Sequence, residues 1–137
     1  MKIEDFSISD YEAAYSFWKK IDGMGLSSAD DRENIDRFIK QNQGLSLVCK
    51  NGNKIVGTLL CGQDGRRGYL YHLAVDPLYR RRGIGTLLVE KCLERLRGCG
   101  IGKCHLFVYA SNRTGQEYWE KTGWHLRRDI LVFSKDL

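Results

Sequence analysis

The stretch His72-Leu73-Ala74-Val75-Asp76-Pro77-Leu78-Tyr79-Arg80-Arg81-Arg82-Gly83-Ile84-Gly85-Thr86-Leu87-Leu88 decides how the chain is read. Its opening residues continue a β-prone run that starts at Tyr69, and Asp76-Pro77 ends that run because proline has no N–H for a ladder and restricts the residue before it. Three arginines and a Gly-x-Gly follow, after which Ile84, Leu87, Leu88, Cys92 and Leu96 recur at helical spacing from Gly83 to about Arg97. A strand, a basic turn and a helix start in succession make a cradle for a pyrophosphate. The first helical N–H groups have no intrahelical acceptor, and the helix dipole adds partial positive charge. Gly83 and Gly85 let a phosphate come close to the backbone. Two other phosphate loops fail on spacing: Leu88 stands where the third glycine of G-x-G-x-x-G belongs, and no G-x-x-x-x-G-K-[ST] occurs.

Upstream of this stretch the pattern has a period of two. Leu45–Lys50 and Lys54–Cys61, joined by Asn51-Gly52, read as a hairpin, since Asn-Gly tolerates the positive φ of a tight turn. A second turn over Gln63–Gly68 leads into Tyr69–Val75, so three strands form a meander. Before them come a first strand around Lys2–Ile8, a helix opened by a Ser9/Glu12 capping box and carrying Tyr11, Ala14, Tyr15, Trp18 and Ile21, and a second helix over Asp30–Gln41. After the long helix, Lys103–Tyr109 reads as a buried strand, Asn112–Lys121 as a helix and Ile130–Lys135 as a closing strand. The helix between Tyr69–Val75 and Lys103–Tyr109 makes that strand pair a parallel crossover. The class is therefore α/β (α+β), with helices on both faces of the sheet.

A length of 137 residues fits one domain, 1–137, without a linker or repeat to divide it. No run approaches the roughly 18 apolar residues of a membrane span. Met1–Asp10 carries Glu4, Asp5 and Asp10 and lacks the basic-then-apolar pattern of a secretory signal, so the expected location is cytoplasmic, without a membrane partner. Five cysteines with no C-x-x-C pair read as reduced, buried thiols, and no metal site is expected. The net charge of +5 favours an anionic partner, but its basic residues cluster at Arg66-Arg67 and Arg80-Arg81-Arg82 instead of spreading along a stripe, which argues against nucleic acid.

Arg80-x-x-Gly83-x-Gly85 after Leu73-Ala74-Val75-Asp76-Pro77 resembles the [Q/R]-x-x-G-x-[G/A] acetyl-CoA motif of the GNAT superfamily of N-acetyltransferases. Asn112-x-x-Gly115-x-x-Tyr118-Trp119-Glu120-Lys121-x-Gly123-Trp124 is similar to that family's N-x-x-A-x-x-[LF]-Y-[EQ]-K-x-G-F segment, and the two together match over roughly Leu45 to Leu137. The resemblance implies a mixed, mostly antiparallel sheet splayed between the fourth and fifth strands, with acetyl-CoA as co-substrate in the opening. It implies that the backbone of Leu73, Ala74 and Val75 pairs with the pantetheine arm. It also implies that Arg80, Arg81, Arg82, Gly83, Ile84, Gly85 and Thr86 hold the pyrophosphate, and that Asn112 touches the pantetheine or supports the site.

The activity implied is transfer of the acetyl group to a primary amine of a small molecule or a protein by direct attack in a ternary complex, in a monomer or a homodimer. Val75 N–H is the backbone candidate for the oxyanion site. His72, an imidazole on the same strand, is the leading base, with Asp64 as a rival, while Asp76 shapes the pyrophosphate turn. The family's acid tyrosine is replaced by Trp119, which walls the thioester, since an indole supplies no proton at neutral pH. That replacement motivates the alternative of a non-catalytic acyl-CoA-binding or sensing module. The Gly23–Asp31 segment is a loop where an acceptor could bind, and Asp30, Asp31 and Glu33 either attract a cationic amine or serve a helix start.

Overall fold

The meander forms the centre of the sheet. A computed structural model of the chain describes residues 1–137, and these fall into two units, Met1–Phe107 and Val108–Leu137. In the first unit β1 (Lys2–Asp5), β2 (Leu47–Asn51), β3 (Lys54–Gln63), β4 (Gly68–Val75) and β5 (Cys104–Leu106) lie side by side in chain order. β1 to β4 pair antiparallel, and the Asn51-Gly52 turn between β2 and β3 has Gly52 at φ 65°. β5 pairs parallel to β4 from Gly68/Cys104 to Leu70/Leu106 and no further. β4 runs on for five residues, Tyr71–Val75, with no partner strand on that side. This is the expected mixed sheet with its splay between the fourth and fifth strands.

β3 is buried on both faces because helices cover both. Thr58, Leu60 and Gly62 face α1 (Tyr11–Lys19) and α2 (Arg32–Gln41): Trp18 bonds to Thr58, Leu60 clusters with Trp18 and Ile35, and a Cβ on Gly62 would lie 2.8 Å from Phe38. Gly57 and Cys61 face α3 (Ile84–Gly98), where a Cβ on Gly57 would meet Ile84 and Leu88 at 3.2 Å and Cys61 contacts Cys92. Trp18, Leu47, Leu59, Leu88 and Leu96 are fully buried. Each such side chain contributes about 1.5–3 kcal/mol of transfer free energy before ordering costs.

Several boundaries differ from the sequence reading. β1 ends at Asp5, and a 3-10 turn, Ile8–Asp10, precedes α1. The capping pair is Ser7/Asp10, with Ser7 N–H donating to Asp10 Oδ2 at 3.0 Å, in place of Ser9/Glu12. Asp10 is also held by Lys50, whose Nζ lies 2.8 Å from both Asp10 and Glu4, and this anchors the turn to β2. The second helix begins at Arg32, because Ser28–Asp30 forms its own 3-10 turn.

In the second unit α4 (Arg113–Lys121) is capped by Asn112, whose Oδ1 accepts from Gly115 N–H at 2.9 Å. Trp124 N–H donates to Trp119 O at 3.0 Å and closes the helix end. The expected closing strand over Ile130–Lys135 does not form, and Ile130, Leu131, Val132 and Phe133 are exposed. An apolar, β-branched run supplies strand propensity, but a strand exists by pairing and none pairs with it. No helix of the chain is long and apolar enough to cross a membrane.

Candidate active site

The bulge in β4 sets the geometry of its open end. Thr58 faces Ala74 and Leu60 faces Tyr71, so His72 and Leu73 together oppose the single residue Leu59. His72 takes the left-handed conformation, φ 55°, which is uncommon outside glycine. As a result Tyr71 and His72 both turn to the α1–α2 face: Tyr71 meets the edge of Phe38 at 6.0 Å and His72 lies against Trp18 at 4.9 Å. Past the bulge the strand is regular again, and Asp76 N–H donates to Val56 O at 2.9 Å. Strand alternation then turns Ala74 N–H towards β3 and Val75 N–H towards the side where β4 has no partner strand. Ala74, expected beside Leu73 and Val75 as a pantetheine contact, thus has its backbone groups on the β3 side, and its side chain is buried in the core. Val75 O, on the open side, accepts from Arg80 Nε at 3.1 Å.

The turn after β4 is fixed at several points. Asp76 Oδ1 accepts from Leu78 N–H at 2.9 Å and Oδ2 lies 3.5 Å from Lys54 Nζ. Tyr79 OH accepts from Asn51 Nδ2 at 2.9 Å, and the Arg82 guanidinium sits 4.9 Å from its ring centroid, which ties the arginine run to the β2–β3 hairpin. φ alternates in sign along this run, from −70° at Arg80 to 64° at Arg81 and, past Arg82, 77° at Gly83. The left-handed Gly83 (φ 77°, ψ 9°) followed by the right-handed start of α3 at Ile84 turns successive N–H groups into one concavity, the geometry of anion-binding nests. α3 starts immediately after, and the Gly83 carbonyl accepts from Leu87 N–H at 3.0 Å, so the N–H groups of Ile84 and Gly85 precede the first closed helical bond. A Cβ built on Gly83 would meet nothing within 4 Å beyond its chain neighbours, so no side chain packs over this glycine.

His72 stands at the junction of strand, core and loop. Its Nε2 lies 2.6 Å from Asp30 Oδ1, its carbonyl accepts from Thr58 Oγ1 at 3.0 Å, and Thr58 accepts in turn from the Trp18 indole at 2.8 Å. Asp30 is itself secured: Ser27 N–H donates to Oδ2 at 2.9 Å and Tyr11 OH donates to its carbonyl at 2.6 Å. Burial pushes the Asp30 carboxyl up, but the hydrogen bonds from His72 and Ser27, with the His72 charge, outweigh burial and hold it below its ordinary value. The sequence reading left Asp30 with Asp31 and Glu33 at a helix start. The Ser27-x-x-Asp30 spacing of a capping box was the one local signal for the turn that buries it.

The other expected residues resolve separately. Asp64 accepts the N–H groups of Arg66 and Arg67, both at 2.8 Å, which hold its carboxyl below the ordinary value. It closes the β3–β4 turn, roughly 20 Å along β4 from Val75 at strand rise, too far to act as the base there. Burial, reinforced by Cys61, pushes the Cys104 thiol up to about 12, so it offers no thiolate near neutrality. In the second unit Asn112 gives its Oδ1 to the α4 cap, and Trp119 lies between the rings of Tyr118 and Trp124 at 5.1 and 5.2 Å.

The sequence model of the Acetyltransferase (GNAT) family matches residues 10–124. The chain is 30% identical to Acetyltransferase SG1711 of Sodalis glossinidius over all of its own length and 96% of that protein. It is 33% identical to Acetyltransferase ECA0875 of Pectobacterium atrosepticum over 88% of this chain and 85% of that one. Among solved structures, Ard1 from Thermoplasma volcanium superposes with a TM-score of 0.80 at 20% identity, over 92% of this chain and 83% of that one. PaiA N-acetyltransferase from Thermoplasma acidophilum, solved in complex with coenzyme A, gives 0.77 at 19% identity, over 92% and 90%.

Proposed function

The chain belongs to the GNAT family of acetyltransferases, and from that premise we propose that it moves the acetyl group of acetyl-CoA to a primary amine of a small molecule or a protein, by direct attack in a ternary complex. The observation that carries this reading is the unpaired end of β4 running directly into the concave turn at the start of α3. An extended pantetheine arm needs a strand edge with backbone groups to pair with, and a pyrophosphate needs convergent N–H groups. Both are continuous along the chain from Leu73 to Thr86.

Each group then has a task. Leu73 and Val75 offer backbone partners for the pantetheine. The turn from Arg81 to Thr86 holds the pyrophosphate, and Arg80 braces the strand end through Val75 O. Val75 N–H, aimed to the open side, stabilises the oxyanion that develops on the thioester carbonyl, and a dipole placed where charge develops is usually the largest catalytic contribution. His72 is the general base for the acceptor ammonium. The leaving thiol has an ordinary pKa near 8.5, so water can deliver its proton and Trp119 does not have to. The turn has the build for acetyl-CoA, and no step in this scheme draws on a metal.

Calorimetric titration with acetyl-CoA, with ATP and NADPH as controls, tests the cradle. Release of coenzyme A thiol in the presence of spermidine, kanamycin, free lysine or an alanine-headed peptide tests the transfer. Selective binding with amine-dependent thiol release is expected, and a folded protein that does not bind acetyl-CoA overturns the proposal. Trp119 in the position of the family's acid tyrosine favours a second reading, a non-catalytic acyl-CoA-binding module. Tight binding with no thiol release from any amine would support that one.

A further inference from the structure

We propose that Asp30 and His72 form a dyad in which Asp30 is the positioning residue, accepting the Nε2–H of His72 so that Nδ1 carries the lone pair that receives the acceptor's proton. This rests on His72 being the base in the proposed transfer, and it adds a residue 42 positions away in the sequence, in the loop between α1 and α2.

Three observations support it. The pair is short, 2.6 Å, and both side chains are largely buried, at 14% and 8% exposure, which leaves the imidazole a narrow opening and the carboxylate almost none. Asp30 is built in at two further points, its other carboxylate oxygen by Ser27 N–H and its main-chain carbonyl by Tyr11 OH. The third is strain. His72 holds φ 55° inside a strand, a strained conformation that persists only where surroundings enforce it. Those surroundings are Asp30 on the ring, Trp18 against the ring and Thr58 on the carbonyl. Asp30 is the charged group in contact with the imidazole; Trp18 from α1 and Thr58 from β3 carry no charge. A structural histidine in a sheet could have satisfied Nε2 with a backbone carbonyl and a relaxed φ.

The chemistry balances. Neutral His72 takes one proton from the acceptor ammonium at Nδ1, and the imidazolium so formed is balanced by the Asp30 carboxylate. The freed amine nitrogen forms the N–C bond to the thioester carbon, and the C–S bond breaks. The second proton leaves the new amide nitrogen and is delivered to the departing sulfur through water, giving coenzyme A thiol. The imidazolium returns its proton to solvent.

The test has two arms. Long-range nitrogen–proton correlation spectra of 15N-histidine-labelled wild-type protein report the tautomer directly, with assignment by His72→Gln. The Nε2–H form is expected for His72, and the Nδ1–H form overturns the dyad whether or not any variant folds. In the kinetic arm, kcat/KM is measured across pH with the best amine of the panel above. His72→Gln should lose about 100-fold and Asp30→Asn at least about tenfold. The acid limb of the Asp30→Asn profile should fall by about one pH unit, because the imidazolium loses its counter-charge. Asp30→Asn added to His72→Gln should cost nothing more, whereas a merely structural aspartate would cost the same in both backgrounds. If Asp30→Asn leaves the rate and limb unchanged while His72→Gln is impaired, the dyad fails and the base survives. If no amine is turned over by a wild-type protein that binds acetyl-CoA, the transfer reading itself fails and the dyad's role falls with it.

Discussion

The indole N–H of Trp18 donates to the hydroxyl of Thr58 at 2.8 Å, with both side chains fully buried. The same hydroxyl donates its proton to the carbonyl of His72 at 3.0 Å. One side chain therefore ties the centre of the α1–β3 core to the residue at which β4 bulges. Core packing and site geometry are not separable here, because the strained backbone at His72 is held by a group whose other partner is the largest residue of the core.

Replacing that hydroxyl without changing the shape isolates its contribution. Thr58→Val leaves a buried indole N–H and a buried carbonyl unpaired, each costing about 1–3 kcal/mol. The expected result is a lower urea midpoint with unchanged slope, and Thr58→Ser should recover most of it. Equal midpoints for wild type and Thr58→Val would mean that the hydroxyl holds neither group.

The seat of α3 on the sheet gives a second prediction. A methyl at Gly57 would meet Ile84 Cγ2 and Leu88 Cδ1 at 3.2 Å, closer than comfortable contact, and Ile84 is the first residue of α3. Gly57→Ala should destabilise by about 1–3 kcal/mol as an overpacked core does. It should also weaken acetyl-CoA binding measurably, because Ile84, in the helix start that carries the proposed cradle, has to give way. Calorimetry alongside thermal unfolding checks both. Lost stability with unchanged affinity would place the acyl-donor site away from this helix start.

What the sequence made legible was local. Arg80-x-x-Gly83-x-Gly85 could be read because a strand end, a turn and a helix start are adjacent in the chain, and Gly83 indeed takes φ 77° at the cap. The meander was legible from the Asn51-Gly52 turn between two β-prone runs. The pairing of His72 with Asp30 was not, since it joins residues 42 apart through a bulge that leaves no compositional mark, and an aspartate near a helix start has an ordinary explanation. Asp30 is held by its local bond from Ser27 together with tertiary contacts to His72 and Tyr11. The same limit explains the Ile130–Lys135 stretch, where propensity for a strand was plain but the presence of a partner was not something residue types could report.

The depressed carboxyl of Asp30 makes a prediction about acid stability. A group whose folded value lies below its unfolded value of about 3.9 contributes its full stabilisation above that unfolded value. The contribution is lost as pH falls through it towards the folded value. Wild type should therefore exceed Asp30→Asn in urea midpoint at pH 6, with the gap closing progressively below about pH 4. A gap that stays constant from pH 6 to pH 2 would show that the loop is held by the shape of the side chain and not by its charge.

Gly83 is the position where the backbone conformation and the proposed pyrophosphate site make separate demands. Its φ of 77° lies in the left-handed region, which costs a residue with a Cβ about 1–2 kcal/mol, and β-branching makes valine worse. Beyond its chain neighbours no atom lies within 4 Å of where that Cβ would stand, so a Cβ meets no other part of the protein, and in the proposed complex the added bulk competes with the pyrophosphate. Gly83→Val should thus lower stability modestly but weaken acetyl-CoA binding by more than the strain alone accounts for. Gly83→Ala separates the two effects, since it carries most of the φ penalty and little of the bulk. The expected order of acetyl-CoA affinity in calorimetric titration is glycine, then alanine, then valine, with the step to valine the larger. Three equal affinities would remove the pyrophosphate from this turn, and an equal loss in both variants would assign the effect to backbone strain.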